Sequence, residues 1–124
     1  MKKYVIMLVM LFTMSVYSFA EDNNATEIEK FEKYDFKVNN RKLAVFLDLS
    51  KDQMDAVETI TDELSNDMSF AYYENTNEAR EKVVANVVKK NIKHMHFILT
   101  EEQYHKYLKV FNATLINKGF QIKY

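Results

Sequence analysis

Three histidines carry the side chains best suited to proton transfer or metal binding near neutral pH: His94, His96 and His105. The run His94-Met95-His96 invites a metal reading. Two residues apart on a helix lie about 200° around its axis, so the two imidazoles cannot close on one ion. A new helix start at residues 99–103 separates His96 from His105. All three are read as surface or helix-end histidines, where positive charge near a helix C-terminus is favourable by itself. Met54, Met68 and Met95 recur on apolar stripes and are read as packing rather than as soft-metal ligands. The chain has no Cys and a single Gly, which removes a thiol nucleophile and a glycine-rich phosphate loop. It has no His-Glu-x-x-His run and no defensible Ser–His–acid set. The expectation is a protein that is not an enzyme and holds no cofactor and no metal.

The more informative residues come in two copies. "LSKDQ" at 49–53 returns as "LTEEQ" at 99–103. With Ser50 and Thr100 at the N-cap, Gln53 and Gln103 fall at the third helical position and complete a capping box. The hydroxyl accepts from the backbone N–H of the Gln, and the Gln side chain accepts from the N–H of the cap residue. Leu49 and Leu99 precede the caps, and Met54 and Tyr104 follow at the fourth position; these are the two members of a hydrophobic staple. Asp52, Glu101 and Glu102 lie in the first turns, where the helix dipole favours acids. Each copy is therefore a complete helix-start signal, and these residues are expected to be structural.

Several elements must carry these signals. Residues 38–49 place Leu43, Phe46 and Leu47 on one face of a short helix capped by Asn39 or Asn40. Met54, Val57, Ile60, Leu64, Met68 and Tyr72 mark a helix over about 51–73. Residues 74–77, "ENTN", are the best turn candidate; a continuous helix through them is the alternative. Val83, Val84, Val87, Val88, Ile92, Met95 and Ile98 are spaced for a helix with a wide apolar stripe, as if packed on two neighbours. Tyr104, Tyr107, Leu108, Phe111 and Leu115 mark a last helix to about 117, with Gly119 and Phe120 placed for a Schellman end. The chain has no Pro, so a turn-rich β fold is excluded and the class is all-α. Residues 51–79 hold eight acids and one base, and residues 80–124 hold nine bases and three acids. That asymmetry favours pairing the two long helices as an antiparallel hairpin flanked by shorter helices.

The N-terminus reads as a targeting segment. Lys2 and Lys3 precede a continuously apolar run at 4–12, and Ser18 and Ala20 occupy the −3 and −1 positions of a cleavage site. Residues 1–20 are expected to be a signal peptide, the alternative being an uncleaved anchor, although the run is short for a span of about 20 residues. Residues 21–37 are expected to be a loosely ordered charged arm, with some helix as the alternative, residues 38–120 the helical domain, and residues 121–124 a tail. The mature chain carries a slight acidic excess, which argues against nucleic acid as a partner. The absence of Cys means that an exported chain of this size is held without disulfides.

Two "L[ST]xxQ" motifs, each opening a helix behind a signal peptide in a small Cys-free helical chain, resemble the LTxxQ-motif (Spy/CpxP-like) family of periplasmic proteins. The resemblance covers about 38–118. It implies a long antiparallel helical hairpin with flanking short helices, two chains interlocked as a cradle-like dimer, and periplasmic location without a membrane anchor after cleavage. It also implies ATP-independent chaperone activity toward unfolded protein clients, or a stress accessory role with an envelope protein partner. Relatives act as signalling regulators or metal sensors, and a structural subunit of an envelope assembly is a further alternative. Ser50 departs from the motif's Thr, and the slightly acidic net charge departs from the basic concave face of the chaperone members. Core or dimer contact is the default reading of the aromatics; the sharper one is a candidate client surface of Tyr72, Tyr73, Tyr104 and Tyr107 beside Arg80, Lys89, Lys90 and Lys93. Apolar area there supplies attraction and the lysines draw in acidic chains.

Overall fold

The computed structural model describes residues 31–121, so the expected signal peptide, most of the expected arm and all but the first residue of the tail lie outside the described residues. The class is all-α. Four helices follow in order: α1 (Asn40–Leu47), α2 (Lys51–Tyr72), α3 (Asn77–Ile98) and α4 (Glu101–Asn117), with residues 31–33 also helical. Among the described residues there is no strand.

Each boundary has a local cause. Asn39 caps α1 by accepting from the Lys42 N–H at 3.1 Å. The helix ends at Asp48, whose φ of 58° is left-handed, a conformation that Asp tolerates better than most residues. The Leu49 N–H then reaches back to the Ala44 carbonyl. Ser50 and Thr100 open α2 and α4 with full capping boxes. Thr76 caps α3 through the Ala79 N–H, so the chain breaks at the "ENTN" stretch. Arg80 fastens that break: its guanidinium donates to the Glu74 carbonyl and to Asn77 Oδ1, each at 2.6 Å. At the far end Gly119 takes φ 95°, its N–H bonds Ile116, and the Phe120 N–H bonds Leu115. That is the Schellman pattern, closed by burial of Phe120.

α2 and α3 pack along each other, and α1 and α4 each touch two neighbours. Val57, Ile60, Leu64 and Met68 of α2 meet a core shared with Val84, Val88 and Met95 of α3 and Val110, Phe111 and Leu115 of α4. The wide α3 stripe is explained by its two partners, α2 and α4. Outside the core, Lys90 of α3 bridges Glu63 (3.3 Å) and Asp67 (2.7 Å) of α2.

Two expectations need correction. Met54 is not in the core: it is 45% exposed and lines an open cleft with Val45 and Leu49 instead. The loosely ordered arm does not extend to residue 37. Tyr34 and Phe36 are buried, and Tyr34 meets the edge of Phe120 at 5.4 Å. Lys33 lies over the Phe120 ring at 4.6 Å, while Lys118 lies over Phe36 at 5.1 Å. The Lys118 ammonium also donates to the Glu32 (2.9 Å) and Asp35 (3.3 Å) carbonyls. Residues 31–37 thus belong to the packed domain. Aromatic side chains separated by charged ones show no periodicity, but Tyr34 and Phe36 each meet a cation and a ring.

Candidate functional site

The two motifs are not separate. Ser50 Oγ accepts from the Gln53 N–H (3.2 Å) while Gln53 Oε1 accepts from the Ser50 N–H (2.9 Å). Thr100 and Gln103 repeat this at 3.2 and 2.9 Å. Each Gln then has its amide N–H₂ left over, and each spends it on the other motif. Gln53 Nε2 donates to the Ile98 carbonyl at the end of α3 (3.1 Å) and to Gln103 Oε1 (2.7 Å). Gln103 Nε2 donates to the Leu47 and Asp48 carbonyls at the end of α1 (3.1 and 3.2 Å) and to Gln53 Oε1 (3.2 Å). The two carboxamides form a reciprocal pair. Each caps the start of its own helix and ties down the carbonyl end of the helix that precedes the other motif, where C-terminal carbonyls lack helical partners. A flipped amide would set oxygen against the helix-end carbonyls and N–H₂ against the cap N–H groups, so the network fixes both orientations. Leu49, half-buried, and Leu99, buried, lead the chain into this clasp.

The expected client surface does not assemble as one patch. Tyr107 is fully buried and is corrected from surface to core: its hydroxyl donates to Asn91 Oδ1, and its ring stacks on Phe111 at 5.4 Å. Tyr104 is half-buried and lies flat on His96, with ring centroids 4.0 Å apart. Tyr72 is half-buried in an aromatic group with Phe31, Tyr34 and Tyr73; Tyr73 itself is 72% exposed. Arg80 is committed to the turn and Lys90 to Glu63 and Asp67. Hydrogen bonding to Asp67 holds the Lys90 ammonium above its usual pKa. Lys89 and Lys93 remain exposed on the outer face of α3, four residues apart, with Phe97 one turn further on and 89% exposed.

The histidines are held apart. His94 Nδ1 lies 3.4 Å from Glu63, and His96 Nε2 lies 3.0 Å from Glu101. Among the described residues no group of three or more His, Cys, Asp or Glu side chains is gathered for a metal ion, and no helix is long and apolar enough to cross a membrane. Two further groups have shifted protonation. Burial pushes the Tyr34 phenol up, with Glu81 adding to it and Arg80 opposing. Burial pulls the Lys118 ammonium below its usual range, against the charges of Asp35 and Glu32.

Sequence reasoning missed three features: the reciprocal Gln53–Gln103 pair, the buried Asn91–Tyr107 pair, and a cleft between α1 and α2. The last is about 620 Å³ and is lined by Ala44, Val45, Leu49, Met54 and Val57 among polar residues. The signal for the first was the repeat itself, because two copies of one local structure in one small core can meet. Comparison with protein-family models, with curated proteins and with solved structures gives no match.

Proposed function

We propose that the chain is an exported, non-enzymatic protein-binding protein of the Spy/CpxP-like type, acting as an ATP-independent periplasmic chaperone or envelope-stress accessory. In this reading α2 and α3 are the antiparallel hairpin, and two copies interlock as a cradle. Unfolded segments of other proteins, or an envelope partner, bind its surface. The observation that carries the reading is the apolar area left outside a filled core. Val45, Phe70, Tyr73, Phe97 and Ile116 are each more than two-thirds exposed, and they recur on α1, α2, α3 and α4 or at their ends. Exposed apolar side chains mark a surface that other chains cover when they gather into one patch, and in this reading pairing of two copies brings them together. A binder of this kind holds clients by apolar contact and releases them by exchange, with no nucleotide chemistry. The export reading rests on Lys2, Lys3, the apolar run at 4–12 and the Ser18/Ala20 site.

The test is light scattering from an unfolding client enzyme, with and without residues 21–124 and without ATP. Suppressed scattering at equimolar chain is the expected result; unchanged scattering contradicts the proposal. Size exclusion with in-line light scattering addresses the cradle. A dimer is expected at tens of micromolar, and a clean monomer overturns that part.

A further inference from the structure

The cleft between α1 and α2 has an apolar floor and an uneven rim. Val45 is 78% and Met54 45% exposed, and both line it, with Ala44 and Val57 buried beneath. Its volume of about 620 Å³ falls in the range of ligand clefts, about 300–1,000 Å³. The rim carries three carboxylates, Asp48, Asp55 and Glu58, against one base, Arg41. All four are exposed. Three carboxylates of the molecule do have cationic or imidazole partners: Glu63 and Asp67 hold Lys90, and Glu101 holds His96. Among the described residues no Lys, Arg or His pairs with Asp48, Asp55 or Glu58. The acidic character continues along α2 through exposed Asp52 and Asp62.

We infer that this cleft binds protein segments in which aliphatic side chains are flanked by Lys or Arg. The inference rests on the protein-binding reading and gives it a client class. The apolar floor takes one face of an amphipathic segment, and the unpaired carboxylates receive its cations. Association is therefore steered by charge and weakened by salt. The preference is the reverse of the one expected from Arg80, Lys90 and Tyr107, which the fold uses internally. The chain's own residues 21–30, "EDNNATEIEK", carry four acids and one base and are the wrong sign to fill the cleft.

The experiment uses two labelled peptides of about twelve residues with leucines at i, i+3, i+4 and i+7, one with lysines and one with glutamates at the other positions. A third peptide keeps the lysines and replaces leucine by serine. Fluorescence anisotropy is read against residues 21–124, against Asp55→Lys/Glu58→Lys, and against Val45→Asn. All three substituted positions are exposed, and a circular dichroism melt checks each fold. Expected is binding of the lysine–leucine peptide at least about tenfold tighter than of the other two, a reversed lysine/glutamate ranking in the double variant, and weaker binding in Val45→Asn. An unchanged ranking in the double variant, or equal binding of the serine peptide, overturns the inference. So does a Val45→Asn change that dissolves a dimer while leaving peptide binding intact, since the cleft is then an interface between copies. Suppressed client aggregation with no peptide discrimination overturns the client class alone. Loss of both overturns the protein-binding reading as well.

Discussion

Gln53 donates its side-chain amide to Gln103 Oε1 at 2.7 Å, and Gln103 returns a contact to Gln53 Oε1 at 3.2 Å. Fifty residues apart in sequence, the two side chains satisfy each other and leave no amide hydrogen or oxygen unused. Each also reaches the end of a helix it does not belong to, Ile98 for Gln53 and Leu47 for Gln103. The starts of α2 and α4 and the ends of α1 and α3 therefore converge on one polar clasp.

The clasp separates the two partners within each capping box. Thr100→Ala removes one side-chain acceptor and is expected to cost about 1 kcal/mol, as a lost cap does. Gln103→Ala removes the bond to the Thr100 N–H, the reach to α1 and the link to Gln53, and is expected to cost about 2–3 kcal/mol at roughly 1 kcal/mol per net bond. Urea unfolding monitored by circular dichroism measures both. Client holding per folded molecule should survive in each. A variant of unchanged stability that no longer holds client would make the motif a binding site.

In the core, Tyr107 and Asn91 form a buried pair between α4 and α3. Tyr107→Phe leaves Asn91 Oδ1 without this donor and is expected to cost about 1–3 kcal/mol. Replacing both, Tyr107→Phe with Asn91→Leu, should recover most of that loss, since two apolar partners of similar shape need no hydrogen bond. A double variant that is less stable than Tyr107→Phe would contradict this account.

Lys118 gives a pH signature. Burial lowers its pKa in the folded chain below the usual 10.5, so between the folded and unfolded values the unfolded chain binds more protons. Stability contributed at this site therefore rises with pH across that window, as the cost of a buried charge is relieved. The difference in unfolding free energy between wild type and Lys118→Met should grow in favour of wild type as pH is raised from neutrality toward 10.5. A flat or falling difference would contradict the burial. Lys90 moves the other way: Asp67 raises its pKa, so its contribution is present below 10.5 and fades above the raised value.

The histidine geometry makes a metal prediction. His94 turns to Glu63 and His96 to Glu101, and the two lie on different sides of α3. After dialysis residues 21–124 should retain no stoichiometric Zn, Cu or Ni, and micromolar metal should leave their Tm nearly unchanged. A ligand at 100 times its Kd that binds only the folded chain would add about 2.7 kcal/mol. A shift of many degrees that disappears in His94→Ala or His96→Ala would favour the metal-sensing alternative.

Much of the fold was legible because its signals are local. Asn39, Ser50, Thr76 and Thr100 announce helix starts through their own side chains, and Gly119 with Phe120 announces an end. Stripe spacing placed Leu64, Met68, Val84, Val88 and Phe111 in the core. What stayed hidden depends on contacts between distant segments. Tyr34 and Phe36 become core only because Lys118, Lys33 and Phe120 come to meet them. The stripe left Tyr107 open between core and client surface, because the hydroxyl's partner, Asn91, lies on another helix. Lys90 and Arg80 looked available because charge counts do not reveal pairing.

The most direct measurement is a double-mutant cycle on the two glutamines. Unfolding free energies of wild type, Gln53→Ala, Gln103→Ala and the double variant are compared in urea at one pH. If the motifs form a single clasp, the double variant loses less than the sum of the single losses, with a coupling of about 0.5–3 kcal/mol. Single losses that add to within about 0.3–0.5 kcal/mol, the behaviour of independent sites, would contradict it and return the repeat to two unconnected helix caps.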